Sequence, residues 1–158
     1  MGAGSERGGT CREGNMDLRL SAINLYPVKG IRGVAAGRAA VEPAGLRHDR
    51  RWVIVDDRGT FLSQRSHRRL ALITGTFDGT RLRLAAPGRP DLTVAGPDGR
   101  QRRAVTVWRD EVDGAGADPA ADRWLSGFLE QTCHLVYMDD RCRRPISSGA
   151  GQTGETLS

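Results

Sequence analysis

Short stretches of alternating apolar and polar residues recur along most of the chain. Alternation over residues 18–24 predicts an amphipathic strand, and small apolar residues over 34–41 predict a second one. The run 52–55 (WVIV) is apolar on both faces, which indicates a central strand. Asp78-Gly79 predicts a two-residue hairpin loop in front of the alternating segment 81–84. Further short strands are predicted at 60–63, 70–77, 92–94, 104–108 and, as a closing strand, 135–137.

One helix interrupts this β pattern late in the chain. Asp118 is a good N-cap residue, and Pro119 follows at the first helical position. The apolar residues then repeat at helical spacing on one face: Ala121, Trp124, Leu125, Phe128 and Leu129. We therefore expect a mainly β (α+β) fold, namely a small β-barrel of short, largely antiparallel strands with one α-helix in the C-terminal half.

Composition divides the 158 residues into three parts. Residues 1–16 are rich in Gly, Ser, Arg and Glu, which predicts a disordered leader. Residues 17–138 carry the strand and helix patterns and are long enough for one domain with a real core. Residues 139–158 form a polar tail.

Charge and cysteine content exclude several classes of function. The formal net charge is +5, but Lys29 is the only lysine, so the arginine excess indicates coding composition more than a nucleic-acid surface. Cys11, Cys133 and Cys142 show no disulfide or zinc-site spacing. No apolar run reaches the length of a membrane helix, and the N-terminus lacks a signal peptide, so we expect a cytoplasmic protein.

Two segments place cations where a strand begins or ends. Lys29-Gly30 can offer an ammonium group and a bare backbone N–H to an anion, although a solvated turn lysine is the simpler interpretation. Asp49 precedes Arg50 and Arg51, which must diverge because strand side chains alternate. Asp49 can hold Arg50 in a two-pronged hydrogen-bonded pair. Arg50 then either contacts a phosphate or forms an ordinary structural ion pair, and both interpretations stay open.

The remaining candidates are weaker. The basic loop 63–69, which contains Arg65, either extends an anion site or is simply solvated surface, and the second interpretation is favoured. Cys133, beside His134, is interpreted as a buried thiol. Cys142 lies among arginines, which would lower its pKa, although a bland exposed thiol is the simpler interpretation.

Several of these segments, in this order, resemble a known family: the MOSC N-terminal β-barrel domain of molybdenum-cofactor proteins. The resemblance covers about residues 18 to 137. It rests on Leu25-Tyr26-Pro27-Val28-Lys29, Gly45-Leu46, Asp49-Arg50-Arg51-Trp52, Gly59 with Ser63-Gln64-Arg65, Trp108 with Asp110, and Trp124-Leu125-Ser126 with Phe128-Leu129.

The resemblance implies half of a cofactor site. In that family this domain precedes a larger MOSC domain, the two bind the molybdenum cofactor (molybdopterin) between them, and N-hydroxylated compounds are reduced with electrons from a partner protein. Lys29 and Arg50 are expected to contact the pterin phosphate, with Gly30, where the family often has serine, and Arg65 beside them. The resemblance supplies no metal ligand here.

The sequence ends where the resemblance places the linker to the MOSC domain. We therefore expect a chain that is inactive alone and works with a MOSC domain that is missing or supplied as a separate chain. The alternatives are a stand-alone small-barrel module that binds nucleic acid or another anionic ligand, and a non-functional truncated fragment.

Overall fold

A computed structural model describes residues 19–107 and 110–142, without the side chain at position 110. The predicted leader 1–16, Trp108 of the motif series and the tail beyond residue 142 lie outside the described residues. Among those described, no helix is both long enough and apolar enough to cross a bilayer.

Short strands are the main regular structure of the described chain. They are β1 Ile23–Leu25, β2 Val28–Lys29, β3 Val34–Ala36, β4 Val41–Glu42, β5 Gly45–Leu46, β6 Trp52–Asp56, β7 Thr74–Phe77, β8 Arg81–Ala85, β9 Leu92–Ala95, β10 Arg102–Val107, β11 Asp110–Gly116 and β12 Cys133–Tyr137. A 3₁₀ helix spans Arg68–Leu72, and helix α1 spans Pro119–Leu129. The predicted mainly β fold with one α-helix is confirmed.

The strands lie in four sheets. The largest has the order β10-β11-β12-β6-β2, in which only the β2–β6 pair is parallel. β7, β8 and β9 form an antiparallel three-stranded sheet, and β1–β3 and β4–β5 are separate antiparallel pairs. This order places the short β2 beside the central β6, so the Lys29 segment runs alongside the segment that follows Arg50.

The strand ladders do not close into the expected barrel. Residues 60–63, predicted as a return strand, make only single bridges, from Phe61 to Val55 of β6 and from Thr60 to Thr106 of β10. Gly59 has a positive φ, and a Cβ there would lie 2.4 Å from the Ala104 carbonyl oxygen, so β10 passes close beside this turn and position 59 requires glycine.

Two apolar clusters lie on either side of β6, as its sequence predicted. Trp52 and Ile54 face the larger cluster, which α1 covers, while Val53 and Val55 face the smaller one. All four are at most 1% exposed. Burial on both faces explains why this strand lacks the usual alternation.

Helix α1 forms as its sequence pattern predicted. The Asp118 carboxylate accepts a hydrogen bond from the Ala120 N–H at 2.7 Å, and Pro119 begins the helix. The predicted apolar face is buried in full: Ala121, Trp124, Leu125, Phe128 and Leu129.

Other strand predictions need correction. In the segment 18–24 the strand begins only at Ile23, and Leu20 is 80% exposed. The 34–41 prediction divides into β3 and β4, and the 70–77 strand begins only after the 3₁₀ helix. β11 (DEVDGAG) was missed because its acids and glycines show no apolar alternation. β12 does not close the sheet, since it lies between β11 and β6.

The β7–β8 hairpin turns one residue later than predicted. Phe77 pairs with Leu82, and Gly79, with a φ of 103°, occupies the first central position of the turn, ahead of Thr80. Asp78 instead precedes the turn, where its Oδ1 accepts from the Thr80 and Arg81 N–H groups at 2.7 Å each. These bonds lower the pKa of Asp78 to about 2.

Candidate functional site

The predicted cationic residues lie along the parallel β2–β6 pair. Val28 pairs with Trp52 and Lys29 with Val53. Just before this ladder, and one residue out of its register, the Arg50 N–H donates to the Tyr26 carbonyl at 2.7 Å. Lys29 and Arg50 are thus on neighbouring segments at one sheet edge.

Lys29 and Gly30 form the two central positions of a tight turn. The turn is closed by the Ile31 N–H, which donates to the Val28 carbonyl at 3.4 Å, and Gly30 has a φ of 88°. Positive φ at the third position of a four-residue turn is the pattern of a type II turn and favours glycine. Within the described chain no acceptor is found for the Gly30 N–H, which is therefore available to a ligand.

A serine does not fit at position 30 in this backbone. A Cβ there would lie 3.1 Å from the Leu62 carbonyl oxygen and 3.4 Å from the Phe61 ring, in addition to the strained φ. The expected departure from the family pattern therefore has a local structural reason. The Lys29 ammonium lies 5.3 Å from the centre of the same Phe61 ring.

Arg50 lies in a turn held by Asp49. One Asp49 oxygen, Oδ1, accepts from the Tyr26 N–H at 2.7 Å, and the other, Oδ2, contacts Arg50 Nη1 at 2.5 Å. The expected two-pronged pair is therefore wrong, because the backbone of Tyr26 occupies one of the two oxygens. Arg50 also stacks over the Tyr26 ring at 5.3 Å, with its side chain 53% exposed.

The backbone of this turn is strained. His48 and Arg50, on either side of Asp49, have positive φ values of 68° and 49°. Non-glycine residues in that region persist only where surrounding contacts hold them, and here Asp49 supplies such contacts. Arg51 has other partners than Arg50: it lies over the Tyr137 ring and pairs with Asp140 at 2.8 Å. Strand alternation is not the reason for this difference, as had been expected, because β6 begins only at Trp52.

The loop 63–69 reaches the Lys29 turn through Gln64. Gln64 Nε2 donates to the Gly30 carbonyl at 2.9 Å and approaches the Ile31 carbonyl at 3.4 Å. Arg65, next in the chain, is exposed and makes no hydrogen bond or ion pair with the residues that the structure describes. Gln64 is uncharged, so charge patterning in the sequence did not indicate it. The only sequence feature that marks it is its place in the Ser63-Gln64-Arg65 motif.

The donor groups at this sheet edge are of the kinds that bind phosphate in proteins. They comprise an ammonium, an exposed guanidinium and a backbone N–H, while Asp49, the nearby carboxylate, is taken up by Tyr26 and Arg50. Among the described residues, no group of three or more His, Cys, Asp and Glu side chains is placed to hold a metal ion.

The two cysteines that the structure describes are poorly suited to chemistry. Cys133 is fully buried as predicted, and burial raises the pKa of its thiol to about 11. The expectation that arginines lower the pKa of Cys142 is wrong. Partial burial and the hydrogen bond to Asp139 raise it to about 11 instead, while Arg102 is paired with Asp139 and Asp113.

A shallow cavity lies elsewhere, at the 56–59 turn. It measures about 340 Å³ and none of the predicted site residues lines it. Nearby, His134 bridges Asp122, at 2.7 Å from Nδ1, and Asp57, at 3.0 Å from Nε2. Asp122 also accepts from the Leu135 N–H, so this network ties α1 to β12 and the turn.

Comparison with protein-family models matches residues 17–132 to the MOSC N-terminal beta barrel domain. The chain belongs to that family. Amidoxime-reducing component 1 of Homo sapiens is 32% identical over 135 residues, which are 80% of this chain and 40% of that protein. The Xenopus laevis protein of the same name is 28% identical, with 82% and 40% covered.

A further relative and a solved structure are also similar to this chain. Molybdenum cofactor sulfurase of Homo sapiens is 28% identical over 84% of this chain and 16% of its own length. The solution structure of a Bordetella bronchiseptica protein superposes with a TM-score of 0.53 at 20% identity, covering 70% of this chain and 95% of that one, which supports the fold. This chain therefore spans at most 40% of the length of these curated relatives.

Proposed function

We propose that this MOSC N-terminal domain supplies the phosphate-binding half of a molybdenum-cofactor pocket. Lys29, Gly30, Arg50 and Arg65 would contact the pterin phosphate, and the metal ligand would come from a MOSC domain. The observation that carries the proposal is the β2–β6 register, which brings the Lys29-Gly30 turn alongside the Arg50 turn. Two relatives with cofactor-related names, the human and zebrafish molybdenum cofactor sulfurases, support the same ligand class.

Each group has a distinct part in binding. Lys29 would neutralise the phosphate as a point charge, and Arg50 would add directional N–H bonds from a planar guanidinium. The Gly30 N–H would donate to a third oxygen. The cofactor, when bound, supplies the redox chemistry, and the residues of this chain bind and orient it.

In this proposal, catalytic activity requires a MOSC domain. With a MOSC domain completing the pocket, the assembly would reduce N-hydroxylated compounds with electrons from a partner protein. This chain alone would bind the cofactor weakly and would show no turnover.

A binding titration tests the proposal. Purified chain is titrated with molybdopterin, and wild type is compared with Lys29→Ala, Arg50→Ala and the control Arg123→Ala, which removes an exposed arginine of α1. We expect each site variant to raise the Kd about tenfold, as expected for loss of one charged hydrogen bond, and the control to match wild type. Equal affinity in all four proteins would overturn the proposal.

The nucleic-acid alternative gives a different result in the same experiment. Binding to a phosphate backbone would fall steeply as salt rises and would respond to Arg123→Ala as much as to Lys29→Ala. A discrete phosphate site would respond to the site variants alone.

A further inference from the structure

The most informative unassigned side chain is that of Gln64. Its amide lies across 34 positions of sequence from Gly30 and donates to the Gly30 carbonyl at 2.9 Å. The same Nε2 atom also lies 3.4 Å from the Ile31 carbonyl oxygen. One amide group therefore holds two successive carbonyls of the turn that presents Lys29.

The turn needs such a contact because its own closure is weak. The Ile31 N–H to Val28 carbonyl distance of 3.4 Å is long for a backbone hydrogen bond. Downstream, the Arg32 N–H donates to the Ile73 carbonyl at 3.0 Å, which fixes the end of the segment. Between these points, the peptide of Gly30 is held by Gln64.

The direction of this peptide matters for anion binding. When the Gly30 carbonyl is turned towards Gln64, its orientation fixes the planar peptide that joins Gly30 to Ile31. The Gly30 N–H belongs to the preceding peptide, between Lys29 and Gly30. Because glycine rotates freely in φ and ψ, loss of the Gln64 contact would let the backbone on both sides of Gly30 sample other conformations, and the Gly30 N–H would not hold one direction. Donors fixed before the ligand arrives bind it more tightly than donors that must be ordered.

We propose that Gln64 is a positioning residue for the phosphate site: it fixes the Lys29-Gly30 turn so that the Gly30 N–H faces the ligand. This inference rests on the proposed function of that turn. Gln64 itself does not contact the phosphate, and it acts through the two carbonyls that it binds.

The test uses Gln64→Met, which keeps the length and shape of the side chain and removes the donor. The matched control is Gln101→Met, at an exposed position outside the turn. Two quantities are measured by amide NMR on the full chain: hydrogen exchange of the Ile31 N–H, which closes the turn, and the Kd for inorganic phosphate from the Gly30 shift.

We expect Gln64→Met to speed exchange in the turn about tenfold and to raise the phosphate Kd about fivefold, the factor that one neutral hydrogen bond supplies. The urea midpoint of Gln64→Met should stay close to that of wild type. A purely structural role of Gln64 would instead lower the midpoint of this variant. Gln101→Met should change none of these quantities.

The two proposals fail in different ways. If wild type binds phosphate and loses it in Lys29→Ala, but Gln64→Met changes neither exchange nor Kd, the role of Gln64 is wrong and the site stands. If wild type shows no Gly30 shift with phosphate, the site itself is wrong, and with it the role of Gln64, whatever the exchange rates.

Discussion

Asp49 Oδ1 accepts a hydrogen bond from the Tyr26 backbone N–H at 2.7 Å, across 23 positions of sequence. The same carboxylate contacts Arg50 through its other oxygen. One residue therefore joins the segment before β2 to the turn before β6 and sets where Arg50 lies. In this family member, the position of the arginine depends on a neighbour that was expected to hold it through both carboxylate oxygens and that uses only one of them for this contact.

Replacing Asp49 separates these two contacts. Asp49→Ala loses both and leaves the Tyr26 N–H without its acceptor, so we expect the free energy of unfolding to fall by about 1–3 kcal/mol. Asp49→Asn keeps an oxygen for Tyr26 and should lose less than about 1 kcal/mol. Urea unfolding measures both, and an alanine variant as stable as wild type would contradict the role of Asp49 in holding this turn.

Gly30 is predicted to resist substitution for reasons of backbone geometry. Gly30→Ser should lower the free energy of unfolding by about 1–3 kcal/mol, because its φ is 88° and its Cβ would crowd the Leu62 carbonyl. Gly37→Ala is the matched control, since no atom lies within 4 Å of a Cβ there and its φ is not positive. Similar losses from both substitutions would show that position 30 has no special geometry.

Asp78 gives a pH dependence with a definite sign. Its folded pKa is about 2, below the ordinary value of 3.8, so its contribution to stability is present above about pH 4 and is lost as the pH falls towards 2. The thermal midpoint of wild type should fall more steeply than that of Asp78→Asn over this window. Carboxyl ¹³C titration checks the pKa directly, and a midpoint near 3.8 would contradict the hydrogen bonds to Thr80 and Arg81.

Cys142 should react slowly for a partly exposed thiol. A pKa of about 11 in place of 9.0 leaves roughly 100-fold less thiolate at pH 8, so alkylation by iodoacetamide should slow by a similar factor. Mass spectrometry of the Cys142 peptide, compared with the same peptide after unfolding in urea, measures the ratio. Equal rates in folded and unfolded protein would show that Asp139 does not hold the thiol.

The sequence was most informative where one local signal decided the structure. Asp118, Pro119 and the spacing of five apolar residues predicted helix α1 and its buried face, because caps and helical periodicity act within a few residues. The unbroken apolar run of β6 likewise predicted a strand buried on both sides.

Pairing between strands could not be predicted from such local signals. β11 carries little apolar signal of its own and forms because β10 lies beside it over six residue pairs. The barrel was predicted from strand number, yet the strands form four separate sheets, and residues 60 and 61 make only single bridges, which a local pattern does not show. The turn at Asp78 moved by one residue because its carboxylate caps the turn from outside.

The candidate site likewise contains residues that the sequence indicated and residues whose role only the structure reveals. Lys29 and Arg50 were chosen as scarce or strand-end cations and by resemblance, and their assignment to a ligand stays a prediction. The residues that fix their surroundings, Tyr26, Asp49 and Gln64, act through contacts 23 or more positions away in sequence. Such contacts join segments that are distant in sequence and have no local signature.

The central claim is that Lys29 and Arg50 bind one and the same phosphate, and a double-mutant cycle tests it most directly. The Kd for molybdopterin is measured for wild type, Lys29→Ala, Arg50→Ala and the double variant. If both cations contact one phosphate, their effects should be coupled by about 1 kcal/mol or more, since residues that share a partner are not additive. Losses that add within about 0.3 kcal/mol would mean two independent cations and would contradict a shared phosphate site.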